Sequence, residues 1–496
     1  MKPGLPYELA SREAPPARIQ GYFSVAAAKT VFGGAQSKLP RSTKPYQAGK
    51  TDREEVRRTL ESGGFTILAE SPLGFSASGP AAAYEALSGG KVRMRERLLN
   101  AQGGRARYVT HVDIVGEKQP KTLGLASARS KAAKIDGIVL ERPRIFYGVF
   151  PPPMPPNPGR FHLRVPTDVA MGLSATGAHQ NGQRGDGVTV AMPDSGFYLH
   201  PFFTAHGCAV EAAVSMVPGT DPKGDPVGHG TGESANVFAA APGAVLKPIR
   251  VTDDGGHLVA ALAGFLKAKE LQPKIITCSW GGDQEYPPAG GPDATEMAFA
   301  LEIKHAVEQG IVVVFSAGNG QFTIEPQVPG VISAGGAYMT QGLELQASDY
   351  ASGYDSPWFQ GVTVPTVCGL VGLRPRAQYI MLPVPPGCEI DEAESQPDLP
   401  NDPDSDGTSP NDGWALFSGT SAAAPQVAGV VALLLGAKPG LTPAQVSEAL
   451  TKTAIDVTAG RCHPRFNSLA GVGPDAATGA GLVNAQAAVD YATSRL

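Results

Sequence analysis

Beyond residue 160, short continuous apolar runs alternate with longer helical stretches. Residues 188–192 (Val-Thr-Val-Ala-Met) form the first run; 245–251, 274–280 and 311–315 follow. Helical patterns over 257–271 and 294–309 separate them, the second closed by Gly310 as a C-terminal stop. A strand apolar at every position must be covered on both faces. The alternation therefore predicts an α/β fold, a doubly wound and mainly parallel sheet with helices on both faces. In such sheets functional residues gather at the carboxyl ends of strands.

Upstream the pattern differs. A helix is expected over 52–60, ending near Gly63-Gly64, then strands at 65–68 and 75–78, a helix at 81–87, and strands at 108–115 and 137–140. That order suits a small α+β sandwich. Residues 149–159 read Val-Phe-Pro-Pro-Pro-Met-Pro-Pro-Asn-Pro-Gly, a stiff extended linker. The expected division is an arm over 1–45, an α+β module over 46–148, a Pro-rich linker over 149–175 and the α/β domain over 176–496. Its final helix is expected at the capping box Thr442-Pro443-Ala444-Gln445.

Charge is divided in the same place. Residues 1–150 carry 24 Lys and Arg against 13 Asp and Glu; the remainder carries 17 against 33. The basic residues are dispersed without interleaved aromatics, which argues against a nucleic-acid surface. A basic module docking on an acidic domain of the same chain accounts for the asymmetry. The five cysteines (208, 278, 368, 388, 462) are scattered and form no C-x-x-C pair, so buried reduced thiols are expected rather than a zinc site or disulfide framework. No apolar run reads as long enough to span a bilayer, and the first residues lack the apolar core of a secretory signal. The expected location is cytoplasmic, although a separate export route would leave no trace in these residues.

Four small-residue stretches carry the chemistry. Asp194 ends a strand in Met192-Pro193-Asp194-Ser195-Gly196, and His229 lies in Gly228-His229-Gly230-Thr231, before a helical segment at 233–241. Ser316-Ala317-Gly318-Asn319-Gly320 follows a strand. Phe417-Ser418-Gly419-Thr420-Ser421-Ala422-Ala423-Ala424-Pro425 opens a helix apolar nearly all round, with Pro425 expected in its first turn. A serine at such a helix start sits beside unpaired backbone N–H groups and the positive end of the dipole.

Asp, His and Ser in this order, each in its own signature and with Ala-Gly-Asn between the last two, resemble the subtilisin-like serine peptidases. The resemblance covers residues 160–496 and extends to Thr478-Gly479-Ala480-Gly481-Leu482-Val483-Asn484-Ala485. It implies a serine endopeptidase acting on a protein or peptide through an acyl-enzyme. Ser421 would be the nucleophile, His229 the general base and acid, and Asp194 the residue that orients it. Asn319 and the Ser421 N–H would hold the oxyanion. Ser279-Trp280-Gly281 matches the family's substrate-pairing strand, and Gly318 would border the primary specificity pocket. The module over 46–148 resembles the pro-domains of subtilisin-like and sedolisin-like peptidases, which implies an intramolecular pro-domain and a zymogen. Two other outcomes are possible on this fold: a maturation protease, macrocyclase or transpeptidase, in which an amine captures the acyl group, and an inactive scaffold.

The chain also departs from the family pattern. After His229-Gly230-Thr231 the usual His-Val-Ala-Gly is replaced by Gly232-Glu233-Ser234-Ala235. The loop that builds the strong calcium site of secreted members is absent, and no cofactor is required. An acidic insertion at 389–412 contains Asp402, Asp404 and Asp406, which resemble the first half of a calcium loop, yet its twelfth position is Gly413 rather than Glu. A solvated acidic lip on the substrate cleft is the other reading; it would favour basic substrates or seat the basic module.

Overall fold

Successive residues of a strand point to opposite faces, and both faces of the main sheet are packed in the computed structural model. It describes residues 8–10, 14–30, 32, 40, 42–100, 106–115, 125–126, 134–142, 145–146, 161–288, 291–374, 377–396 and 406–496. The expected linker at 149–159 lies outside them. The sheet runs Ala209–Val210, Val245–Arg250, Thr189–Asp194, Ile275–Cys278, Val312–Ser316, Ile332–Met339, Leu345–Ala347, with Val214–Ser215 and Val367–Leu370 attached off this path. Its pairings are parallel except at Leu345–Ala347.

Val190, Met192, Val312 and Val314 enter one core with the helices His229–Ala240 and Thr420–Ala437. Ala191, Ile276, Val313 and Phe315 enter the other with Ala261–Glu270 and Ala294–Glu308. The sheet is thus doubly wound as expected. Two details differ. The helix expected from 257 starts at Ala261, because Asp253 Oδ1 accepts the Gly255 and His257 N–H groups (3.0 and 2.9 Å) and holds that stretch in a turn. The capped helix Pro443–Thr453 is followed by another, Ala485–Arg495, with Asn484 accepting the Ala487 N–H.

By length and composition the Thr420–Ala437 helix is apolar enough to cross a membrane, contrary to the expectation of no such run, but 89% of it is buried inside the protein.

The N-terminal module has a five-stranded antiparallel sheet in the order Thr66–Ser71, Gly74–Gly79, Ile19–Val25, Ile135–Leu140, Leu125–Ala126. Ile19–Val25 is central in it, so the expectation of an arm over 1–45 is corrected at these residues. Too short to display a long periodicity, the strand is stabilised by partners far along the chain. Phe23 packs in the module's own core, edge-on to Phe65, with Val56, Leu60 and Tyr84. Its neighbour Tyr22 faces the other way, into the core shared with the α/β domain. There Glu302, fully buried, accepts hydrogen bonds from Tyr22 Oη (2.7 Å) and Ser71 Oγ (2.5 Å) and pairs with Lys269. Arg142 meets Asp293 at 3.3 Å. Among the described residues this contact is mainly apolar, with a few buried polar bonds.

A three-stranded sheet of Leu163–Arg164, Ile380–Pro383 and Trp414–Phe417 leads to the serine-bearing helix. The acidic insertion lies between the last two of these strands and includes the helix Glu389–Glu394.

Candidate active site

Asp194 is the last residue of its strand, at the carboxyl end of the sheet. Its Oδ1 accepts from Ser195 N (2.7 Å) and from His229 Nδ1 (2.8 Å), with both side chains buried. His229 is the first residue of its helix, four residues earlier than the helical pattern predicts. Gly228 ahead of it is left-handed (φ 88°), a conformation strained for other residues.

Asp225, which sequence reasoning did not single out, holds this turn. Its Oδ1 accepts from Ser195 Oγ (2.7 Å) and Gly228 N (2.9 Å); its Oδ2 accepts from Thr231 N and Thr231 Oγ1 (2.8 and 2.7 Å). Ser195 Oγ in turn accepts the Gly230 N–H at 2.7 Å. The strand end and the helix start are thereby tied together around the Asp194–His229 bond. Burial disfavours a protonated His229 ring, but the carboxylates around it, Asp194 first and then Glu233 and Asp225, outweigh it and the histidine's pKa is raised.

Ser421 is the second residue of Thr420–Ala437, so Pro425 sits inside this helix, beyond the first turn in which it is expected. Proline cannot donate to the carbonyl four residues back, which is that of Ser421. Ser279 Oγ donates to it instead (2.8 Å), while the Ser421 hydroxyl donates to the Ser279 carbonyl (2.9 Å).

Asn319 is fixed from the same helix. Its Oδ1 accepts from Thr420 N and Thr420 Oγ1, both at 2.9 Å, which turns the amide's donor end away from Thr420. Gly318 N donates to Thr420 Oγ1 (3.1 Å). Gly318 has φ 104°, and a Cβ there would lie 2.9 Å from Ser352 Oγ.

Ser279, Trp280 and Gly281 continue from the Ile275–Cys278 strand. The Trp280 side chain is fully buried, donating from Nε1 to Pro193 O (2.6 Å) and stacking on Phe299 at 5.8 Å. The indole belongs to the core, and the strand pairing expected of Ser279-Trp280-Gly281 concerns its backbone. The backbone of Trp280–Gly281 pairs antiparallel with Ile145–Phe146, in the register Trp280 with Phe146 and Gly281 with Ile145.

Asp402 and Asp404 lie outside the described residues. Asp406 Oδ1 accepts from Thr408 N and Oγ1, and its Oδ2 from Leu416 N. Among the described residues no three His, Cys, Asp or Glu side chains are placed to hold a metal ion.

Glu233, fully buried one turn beyond His229, also went unassigned in the sequence. The signal was there in its spacing, since positions i and i+4 share a helix face. Starting the helix at 233 hid it.

The Subtilase family model matches residues 185–481. M-protease of Shouchella clausii (strain KSM-K16) is 25% identical over 332 residues, 64% of this chain and 68% of its own length. Subtilisin BL of Lederbergia lenta is 26% identical over 331 residues, 64% of this chain and 96% of its own. Fervidolysin of Fervidobacterium pennivorans is 26% identical over 417 residues, 74% of this chain; the match spans about half of fervidolysin, 52%. Its crystal structure, described as that of a keratinolytic enzyme related to subtilisin, superposes with a TM-score of 0.53 at 21% identity. The superposition covers 96% of this chain and 62% of the fervidolysin chain, a likeness of fold.

Proposed function

This chain belongs to the subtilase family, and we propose that it is a serine endopeptidase working through Ser421, His229 and Asp194. The observation that carries this reading is the 2.8 Å bond from His229 Nδ1 to Asp194, at the mouth of the helix pair that also presents Ser421. With Nδ1 committed to Asp194, Nε2 is the nitrogen that takes the Ser421 proton. At rest that hydroxyl donates to the Ser279 carbonyl; in the reaction its proton passes to His229 as Oγ attacks the scissile carbonyl. The oxyanion is held by Asn319 Nδ2 and the Ser421 N–H. His229 returns the proton to the leaving amine, and water then hydrolyses the acyl-enzyme. Ser421→Ala is the test. It should abolish labelling by a fluorophosphonate probe while leaving the circular dichroism spectrum intact, and undiminished labelling of that variant would sink the assignment.

The substrate is a peptide bound as an added strand on Trp280–Gly281. The pairing of Ile145–Phe146 with these residues supports reading the N-terminal module as an intramolecular pro-domain whose exit segment takes the substrate's place. Purified protein should then become nicked between residues 147 and 170, and the 1–150 fragment should inhibit the remainder. An intact, fully active chain argues against it. Product masses that sum to the substrate plus one water identify hydrolysis; a cyclic product and leaving peptide that sum to the substrate mass identify cyclisation.

A further inference from the structure

On the Nε2 side of the His229 ring, opposite Asp194, stands a second carboxylate. Glu233 Oε1 is 3.9 Å from Nε2, and the Glu233 side chain is fully buried. Its other oxygen accepts from Asn236 Nδ2 at 2.8 Å. Asn236 Oδ1 accepts from Gln426 Nε2 (3.2 Å), and Gln426 is held by the backbone of Leu370 through its Oε1 (2.7 Å) and Nε2 (3.0 Å). A chain of buried amides thus fixes Glu233 and joins the helix of the base to the helix of the nucleophile. Glu233 Oε1 itself has no hydrogen-bond partner among the described residues. A buried carboxylate oxygen left in that state is costly, and here it lies beside the atom that must receive the Ser421 proton.

We propose that Glu233 is a positioning residue for His229, a second carboxylate that favours the protonated ring and so holds the peptidase back until the pH rises. The proposal rests on the triad reading above. Burial pushes the Glu233 carboxyl up to about 8, with His229 opposing and Asp194 assisting. The two groups share a proton, and whenever it rests on the ring beside an ionised Glu233, His229 Nε2 cannot act as a base.

Of the other groups near the pair, Asp194 and Asp225 also favour the protonated ring, and their contribution persists in a Glu233 variant. Asp194 acts from the Nδ1 side. Asp225 is engaged by Ser195, Gly228 and Thr231. The Cys388 thiol, close to Gly228, is raised by burial to about 12 and stays neutral. Thr420–Ala437 and Ile380–Pro383, packed on the His229 helix, contain no titratable side chain, and on Thr167–Gly172 Asp168 is paired with Arg164.

Glu233→Gln keeps the size and the Asn236 contact but cannot ionise. The titration of His229, followed by NMR through its ring nitrogens in the Ser421→Ala background, should move down by about one pH unit or more. With Ser421 present, the acid limb of kcat/KM should move down equally, leaving the variant about tenfold more active near pH 6 relative to its own plateau. A folded Glu233→Gln whose His229 titrates within about a third of a unit of the parent overturns the proposal. Glu233→Met is the second variant, expected to give the same shift. If neither variant folds, the parent decides: two inflections in the His229 titration support coupling to Glu233, and a single inflection refutes it. The NMR readout does not need turnover. A shifted titration in a chain without peptidase activity would uphold the pairing and refute the function; full activity with an unmoved titration would do the reverse.

Discussion

Ser279 and Ser421 exchange hydrogen bonds, each hydroxyl donating to the other's carbonyl, at 2.8 and 2.9 Å across 142 residues of chain. One of the two bonds fills a vacancy created by Pro425, whose ring nitrogen cannot donate to the Ser421 carbonyl. The Ser421 backbone is thus anchored just beyond the end of the Ile275–Cys278 strand.

Ser279→Ala should leave that buried carbonyl without its donor and destabilise the protein by about 1–3 kcal/mol. Adding Pro425→Ala supplies an N–H four residues on and should recover part of the loss. Urea unfolding of the parent, the single variant and the double variant tests both claims; a double variant no more stable than Ser279→Ala would count against the explanation.

Asn319→Ala should lower kcat by roughly 10²–10³ with KM little changed, as the proposed oxyanion role of its amide requires. Steady-state kinetics on a chromogenic peptide separate the two parameters. A loss confined to KM would move Asn319 from the oxyanion site to ground-state binding.

The raised His229 pKa gives opposite signs for stability and activity. The folded chain binds this proton more tightly than the unfolded chain does. Its stabilising contribution is therefore complete below about pH 6.5 and lost as pH rises through the folded value. Activity needs the neutral ring and should appear over that same rise. Asp194→Asn should move the acid limb of kcat/KM downwards and reduce kcat by on the order of 10⁴, since the ring loses both its charge partner and its tautomer control. A pH–rate profile with an unmoved limb would contradict the pairing.

Glu302→Ala should leave the Lys269 ammonium, buried with it, unpaired and remove the acceptor for Tyr22 and Ser71. The expected cost is about 3–5 kcal/mol, accompanied by faster cleavage of the N-terminal module by an added protease. Unfolding curves and limited proteolysis provide the check. A variant as stable and as resistant as the parent would show that the module does not depend on this cluster.

The sequence by itself determined the sheet, the helices on its two faces and the order of the Asp194, His229, Asn319 and Ser421 stretches. These follow from local apolar runs, glycine stops and small-residue turns, all of which act between near neighbours. Tertiary structure decided what depends on distant partners. Strand Ile19–Val25 is central only because Gly74–Gly79 and Ile135–Leu140 flank it. The Trp280 indole turns into the core because Phe299 and the Pro193 carbonyl receive it. Ser279 matters to Ser421 because a proline inside the helix leaves a carbonyl to be filled. Glu233 reads as an ordinary charge at a helix start until the helix is seen to begin at His229, which sets its carboxylate one turn away and beside Nε2. A burial penalty or a hydrogen-bond vacancy is a property of the space around an atom, and that space is assembled from residues far apart in the chain.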